Sequence, residues 1–288
     1  RILQSSTHSE PPNETAVPRH YWEPGLTETR FDNEPGPFWQ ELADTLRSSP
    51  PQALLVTGAF TNRYYAAGLQ PRTAVGNPYG DGYYDDFNTA VGLDSAGRTQ
   101  LHHKGKLVIG VENTPTVIFD LMQFLVIDLG GVVGQIGMGQ HGTAFAHAGM
   151  RMGPAICYEG LYGDFYGDFV RRGAQFMAII SNDGWWGDTP GYKHLFTISR
   201  LRAIEHRRAI ARSANTGMSG FISARGDIGE TLGWEKRGVI SAAVPLNSEL
   251  TFYTRYGDYL GRIAEYLTLL CVLYYIAYRV KKKNYLVK

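Results

Sequence analysis

A short apolar run, Met150 to Ile156, ends abruptly at Cys157, and Leu161 to Arg172 then reads as a helix that Gly173 stops. A second apolar run, Phe176 to Ile180, follows almost at once. The alternation continues beyond it. Tyr192 to Ala209 reads as a helix with many basic residues, and Arg212 to Ser213 and Met218 to Ala224 read as strands turned at Arg225-Gly226-Asp227. Gly238 to Val244 is a further strand. Strand and helix in such regular exchange point to an α/β layer fold, in which each strand face must be covered by another layer.

The cysteine at the strand-to-helix elbow has a chemical reading. Its sulfur sits at a strand end and near a helix N-terminus, where the partial positive charge favours thiolate over thiol. A buried core cysteine is the bland alternative, and the elbow alone leaves the two about even. A second stretch, Ser181-Asn182-Asp183-Gly184-Trp185-Trp186-Gly187-Asp188, follows the next strand. Large aromatics flanked by glycines suit a binding wall, although tryptophans more often fill a core. A third stretch is His102-His103-Lys104-Gly105-Lys106-Leu107-Val108 with Glu112 shortly after, and a fourth is Asn13-Glu14-Thr15-Ala16-Val17-Pro18.

Upstream of the elbow, Pro37 to Ser48 suits a helix, with Phe38, Leu42 and Leu46 on one face. Ala53 to Val56 reads as a buried strand and residues 61–87, rich in Gly, Tyr and Asp, as a long surface loop. Asn88 to Leu93 and Arg98 to His103 form a hairpin turned at Asp94-Ser95-Ala96-Gly97. That hairpin delivers Lys104 to a strand end, where it either points into a site or is simply solvated. Thr116 to Leu129 is strongly apolar but punctuated by Asp120, Gln123 and Asp128; it reads as a core helix or as an amphipathic lid on a bilayer.

Composition limits the function classes. Lys+Arg at 28 against Asp+Glu at 27 leaves no nucleic-acid footprint. The two cysteines, Cys157 and Cys271, do not identify a redox compartment, and no His/Cys cluster has zinc spacing. Near the C-terminus, Tyr266 to Tyr278 is apolar on every face, flanked by Arg262 and Arg279 and followed by Lys281-Lys282-Lys283. A spanning helix needs roughly 17 to 25 such residues. The tyrosines and arginines suit interfacial anchors, and the lysines predict a cytoplasmic tail.

Taken in order, these stretches resemble the carbon–nitrogen hydrolase (nitrilase) superfamily, and within it the bacterial apolipoprotein N-acyltransferase family. The resemblance is carried by Glu14, Lys104, Glu112, Ile156-Cys157-Tyr158-Glu159 and the Ser181 to Gly187 loop. Arg202-Ala203-Ile204-Glu205, Ala211-Arg212-Ser213-Ala214-Asn215-Thr216-Gly217 and Tyr253-Thr254-Arg255-Tyr256-Gly257-Asp258 add to it. It implies a nitrilase-like four-layer αββα sandwich over residues 1–258, a transmembrane helix over 259–280 and a basic cytoplasmic tail over 281–288. It further implies a Cys157 nucleophile, a Glu14 general base, a Lys104 oxyanion partner and a Glu112 that orients the lysine or the base. Tyr158 and Glu159 would brace the elbow, and Asn182, Trp185 and Trp186 would support substrate binding.

The implied reaction needs no cofactor and no metal. Its partners would be a phospholipid acyl donor, a diacylglyceryl apolipoprotein acceptor and the membrane itself. The implied location is the bacterial inner membrane, with the catalytic domain facing the periplasm. The chain departs from the family around Ser9-Glu10-Pro11-Pro12-Asn13, where the family has an apolar strand. The family's opening strand and helix and its multi-helix membrane region are also missing, so the expectation is that the chain beginning at Arg1 is truncated upstream. Two other readings share the pattern: a nitrilase or amidase acting on small C–N compounds, and a catalytically decayed membrane-anchored relative.

Overall fold

The computed structural model describes residues 2–5, 44–50, 52–71, 73–76, 81–108, 112 and 136–286. Two sheets stack face to face. The first is built on the antiparallel ladder of β2 (Leu54–Tyr65) and β4 (Tyr83–Asp94), with β3 (Val75–Gly76) and β5 (Thr99–His103) also on β4. The second runs β11-β10-β9-β8-β7-β6, from β6 (Phe145–His147) and β7 (Met150–Ile156) through β8 (Phe176–Ser181) and β9 (Ile210–Ala214). Its far edge is β10 (Ser219–Ile222) and β11 (Ile228–Leu232). A two-stranded sheet pairs β1 (Ile2–Ser5) with β12 (Val239–Ala242).

The period-two alternation of β8 explains the layering. Met177 and Ile179 face one way, into a core with Tyr166, Phe169, Phe196 and Ala203. Phe176, Ala178 and Ile180 face the other way, against Ala90, Leu54 and Val56 of the first sheet. The helices supplying the outer face are α1 (Gly163–Arg171) and α2 (Pro190–His206). Strands β7, β8 and β9 are parallel, and α1 and α2 are their crossovers. Helix, sheet and sheet give a layered α/β fold, of the class that the resemblance implies.

β7 and β8 fall where the apolar runs place them, and the hairpin pairs Leu93 with Thr99 and Thr89 with His103 as its turn residues require. Residues 61–87 correct the expectation of a surface loop. β2 continues to Tyr65 and pairs with β4 as far as Tyr83. The hydrophobic signal fails there because the ladder's inner positions are polar and satisfy one another. Thr61 and Thr89 hydroxyls are 2.6 Å apart, and buried Asp85 accepts from Thr73 Oγ1 at 2.9 Å and Tyr65 Oη at 3.3 Å. β1 is likewise unexpected, since residues 1–35 carry no strand signal. Of the helix read over Pro37 to Ser48, residues 44–47 are helical; residues 37–43 and the Thr116 to Leu129 stretch lie outside the described residues.

The chain leaves the domain through α3 (Phe252–Tyr256) and α4 (Tyr259–Leu286). This joint is pinned at several points. Arg171 Nη1 donates to the Thr254 carbonyl at 2.9 Å, and His206 Nδ1 lies 2.9 Å from Thr254 Oγ1. Gly257 has φ 64°, and a Cβ there would lie 2.0 Å from Asp164 Oδ1, which accepts the Asp258 N–H at 3.2 Å. Within α4, Tyr259–Arg279 is long and apolar enough to cross a membrane, and none of that span is buried against the rest of the chain.

Candidate active site

Three parallel strand ends stand level. Ile156 of β7 pairs with Ile180 of β8, and Ser181 of β8 pairs with Ala214 of β9. Cys157 therefore emerges beside the start of the tryptophan loop, at the carboxyl edge where open α/β sheets bind their ligands. The strand stops there for a backbone reason. Cys157 has φ 44°, the left-handed region, and heads a tight 3-10 turn over Cys157–Leu161 that precedes α1. A non-glycine residue held so costs on the order of 1–3 kcal/mol and persists only where its surroundings enforce it. The thiol is free and partly buried.

Glu159 enforces it. Its carboxylate has no solvent exposure and accepts the Ile156 N–H at 2.6 Å, from the residue before the cysteine. It also accepts the Gly105 N–H at 2.6 Å, from the residue after Lys104, and lies 3.1 Å from His102 Nε2 through each oxygen. One buried side chain thus joins the elbow to the lysine strand end.

Lys104 is 2 % exposed and is not a solvated strand-end lysine. A buried ammonium needs a charged partner, and Glu112 supplies it: Nζ donates to its two oxygens at 2.7 and 2.8 Å. Glu112 is fixed in turn by the Val108 N–H at 2.7 Å and by the Asn88 side-chain amide. The Lys104 backbone is held between the Asn88 carbonyl and the Gly139 N–H, at 2.8 and 2.9 Å. Beside the elbow, the Tyr158 ring packs edge-on against Tyr162, and Lys106 Nζ sits over the Tyr162 and Phe165 rings at 5.4 and 5.3 Å.

The tryptophan loop forms a second short turn, Gly184–Trp186, with Trp185 55 % and Trp186 42 % exposed. These rings do not fill a core. Asn182 Oδ1 accepts from Asn215 Nδ2 at 2.8 Å, tying the loop to the end of β9. Beneath it, the fully buried Asp183 is paired with Arg212.

Glu159 thus joins the turn of Cys157 and Tyr158 to the strand end of Lys104 and its partner Glu112, and the loop of Asn182, Trp185 and Trp186 starts from the adjoining strand end. Glu14 lies outside the described residues. Asn88 was not singled out as a site residue in the sequence, and His102, Asp183 and Arg212 stood there only within longer stretches, with no role of their own. His102 carried a signal, because alternation along β5 turns it to the same side as the core. Asn88 carried none. Among the described residues, no group of three His, Cys, Asp or Glu side chains is placed to hold a metal ion.

The profile of the carbon–nitrogen hydrolase family matches residues 15–250. The chain belongs to that family. Two curated relatives are named apolipoprotein N-acyltransferase. That of Chlorobaculum tepidum is 36% identical over 181 residues, 61% of this chain and 34% of the relative. That of Verminephrobacter eiseniae is 35% identical over 190 residues, 63% of this chain and 34% of the relative. The chain therefore spans about a third of the length of these carbon–nitrogen hydrolase relatives. Among solved structures, Nit3 of Saccharomyces cerevisiae, a member of branch 10 of the nitrilase superfamily, has 18% identity and a TM-score of 0.48 over 78% of this chain and 71% of its own.

Proposed function

We propose that this chain carries the catalytic part of an apolipoprotein N-acyltransferase, which moves an acyl chain from phospholipid to the α-amino group of a lipoprotein's diacylglyceryl-cysteine. The 36% identity to a curated protein of that name carries the reading. The exposed apolar helix and the exposed tryptophans, on the loop that starts at the strand end next to the cysteine's, support a lipid-handling version of the carbon–nitrogen hydrolase site.

The chemistry runs in two steps through a covalent intermediate. Cys157 Sγ attacks the donor's ester carbonyl while Glu14 takes the thiol proton. Lys104, held by Glu112, and a backbone N–H near Tyr158 stabilise the oxyanion. Collapse breaks the ester C–O bond; the proton leaves with the lysophospholipid alcohol, and a thioester remains on Cys157. The acceptor amine then attacks the thioester, gives its proton to Glu14, and the thiol is restored on forming the amide. In this reading α4 spans the inner membrane, the lysine tail is cytoplasmic and Cys157 faces the periplasm.

The test uses the full-length gene product carrying this chain, in nanodiscs. Incubation with phospholipid alone is expected to add one fatty-acyl group, seen by intact mass spectrometry and removed by hydroxylamine. Cys157→Ser is expected to stay unloaded. A diacylglyceryl-cysteine peptide should discharge the adduct and carry the chain on its amine. Discharge to free fatty acid as fast as loading, or no loading at all, sinks the proposal.

A further inference from the structure

Two independent constraints fix the tryptophan loop. From below, Asp183 is fully buried at the head of the loop and receives Arg212 Nη2 through both oxygens, at 2.9 and 2.7 Å, with Ser181 Oγ at 2.5 Å. Arg212, 1 % exposed, also donates from Nε to the Met218 carbonyl at 3.1 Å, bracing the turn between β9 and β10. That turn passes so close that a Cβ on Gly217 would lie 2.1 Å from Asp183 Oδ2. From the side, the Trp186 ring lies over Gly191 in the first turn of α2, where a Cβ would come within 2.4 Å of its Cε3. Thr189 Oγ1 holds the Trp186 carbonyl at 2.7 Å.

These supports hold apolar rings out in solvent, a costly arrangement without an apolar partner. The loop that carries them starts beside the strand end that leads into Cys157, because Ile156 and Ile180 are paired. Among the described residues, the side-chain hydrogen bonds that tie Asp183, Arg212 and Thr189 into the loop join them to Ser181, Met218, Trp186 and Gly191, and Asp183 to Arg212. We propose that Arg212, Asp183 and Gly191 are positioning residues for the acyl donor: they set the Trp185–Trp186 face along which the donor's chain lies, without altering the intrinsic reactivity of the thiol. The inference rests on the acyltransferase reading and narrows it to the structure that selects the donor.

Gly191→Ala is the direct test, since it displaces the Trp186 ring while leaving the buried pair intact and suits a helix. The double change Asp183→Leu with Arg212→Met removes the pair without leaving a lone buried charge. Both are made in the full-length protein in nanodiscs with Cys271 and any cysteine outside this chain changed to serine, so that iodoacetamide alkylation reports Cys157 alone. Loading by phospholipid is expected to slow at least tenfold in each variant, while alkylation stays within about twofold of the parent. The loss should shrink for a donor bearing acetyl in place of a long acyl chain. If the parent loads with phospholipid and both variants load as fast, the positioning role is overturned and the acyltransferase reading stands. Alkylation falling in step with loading overturns it too, because the pair would then serve the nucleophile's own geometry. A parent that fails to load overturns both.

Discussion

Glu159 accepts the Gly105 N–H at 2.6 Å, so the turn that carries Cys157 and the strand end that carries Lys104 share one buried carboxylate. The two stretches are far apart in the chain, and this side chain sets their separation. Three groups reach it, the Ile156 and Gly105 N–H donors and His102 Nε2, and it has no solvent exposure.

Glu159→Gln turns one oxygen acceptor into a donor facing N–H groups. A buried amide left unpaired costs about 1–3 kcal/mol, so the melting temperature should fall along with the loading rate of Cys157. Thermal unfolding followed by circular dichroism measures the first, and intact mass spectrometry the second. A variant with unchanged stability and loading would show that the clamp is dispensable.

Lys104→Met removes the charge paired with Glu112 at 2.7 Å. If the lysine stabilises the developing oxyanion, acylation should slow by about a hundredfold or more. Because this change also strands Glu112, the companion Lys104→Met with Glu112→Gln should recover stability without recovering rate. Single-turnover kinetics that match the parent would reduce Lys104 to a structural cation.

His206 supplies a pH dependence. Burial, with the Arg202 guanidinium beside it, lowers the folded imidazole from 6.5 to about 3. As pH falls below 6.5 the unfolded chain takes up the proton first. Stability is therefore full above that pH and declines toward pH 3 by up to about 1.4 kcal/mol per unit. At pH 5 the loss is about 2 kcal/mol by the same relation. Denaturant midpoints between pH 7 and 5 should fall more steeply for the parent than for His206→Gln, and parallel curves would assign the acid sensitivity elsewhere.

Orientation is checked with a reporter fused after Lys288. Activity is expected only for a reporter that works in the cytoplasm, and protease added to spheroplasts should reach the Trp185 loop. A reporter active outside reverses the reading of Lys281 to Lys283.

The parts of the fold legible in the sequence are those with uniform apolar strands. β8 and the latter part of β7 are buried on both faces, so Met152 to Ile156 and Phe176 to Ile180 read as continuous apolar runs. The second half of β2 was hidden because Thr61 and Asn62 are buried yet polar, and their partners Thr89 and Asp86 lie across the ladder. At the site, Cys157 was marked by its elbow. The Lys104–Glu112 and Arg212–Asp183 pairs were not, because each joins residues that only the fold brings together. For Lys104 and Glu112, only the family resemblance linked the two. Glu14 and the stretch Thr116 to Leu129 lie outside the described residues, so their expected roles belong with the proposal.

The joint at Gly257 bears on the mechanics of the whole molecule. Asp164, whose carboxylate receives the Asp258 N–H and closes the space beside Gly257, stands in the first turn of α1, the helix that begins just past the nucleophile's turn. Helix α4 is thereby rooted on the same short segment that carries Cys157, with Thr254 bolted to Arg171 and His206 alongside. Such a root works as a stalk of fixed length. The distance from the thiol to the root of α4 is set by the protein's own skeleton, and a tilt of α4 is felt as a torque on α1.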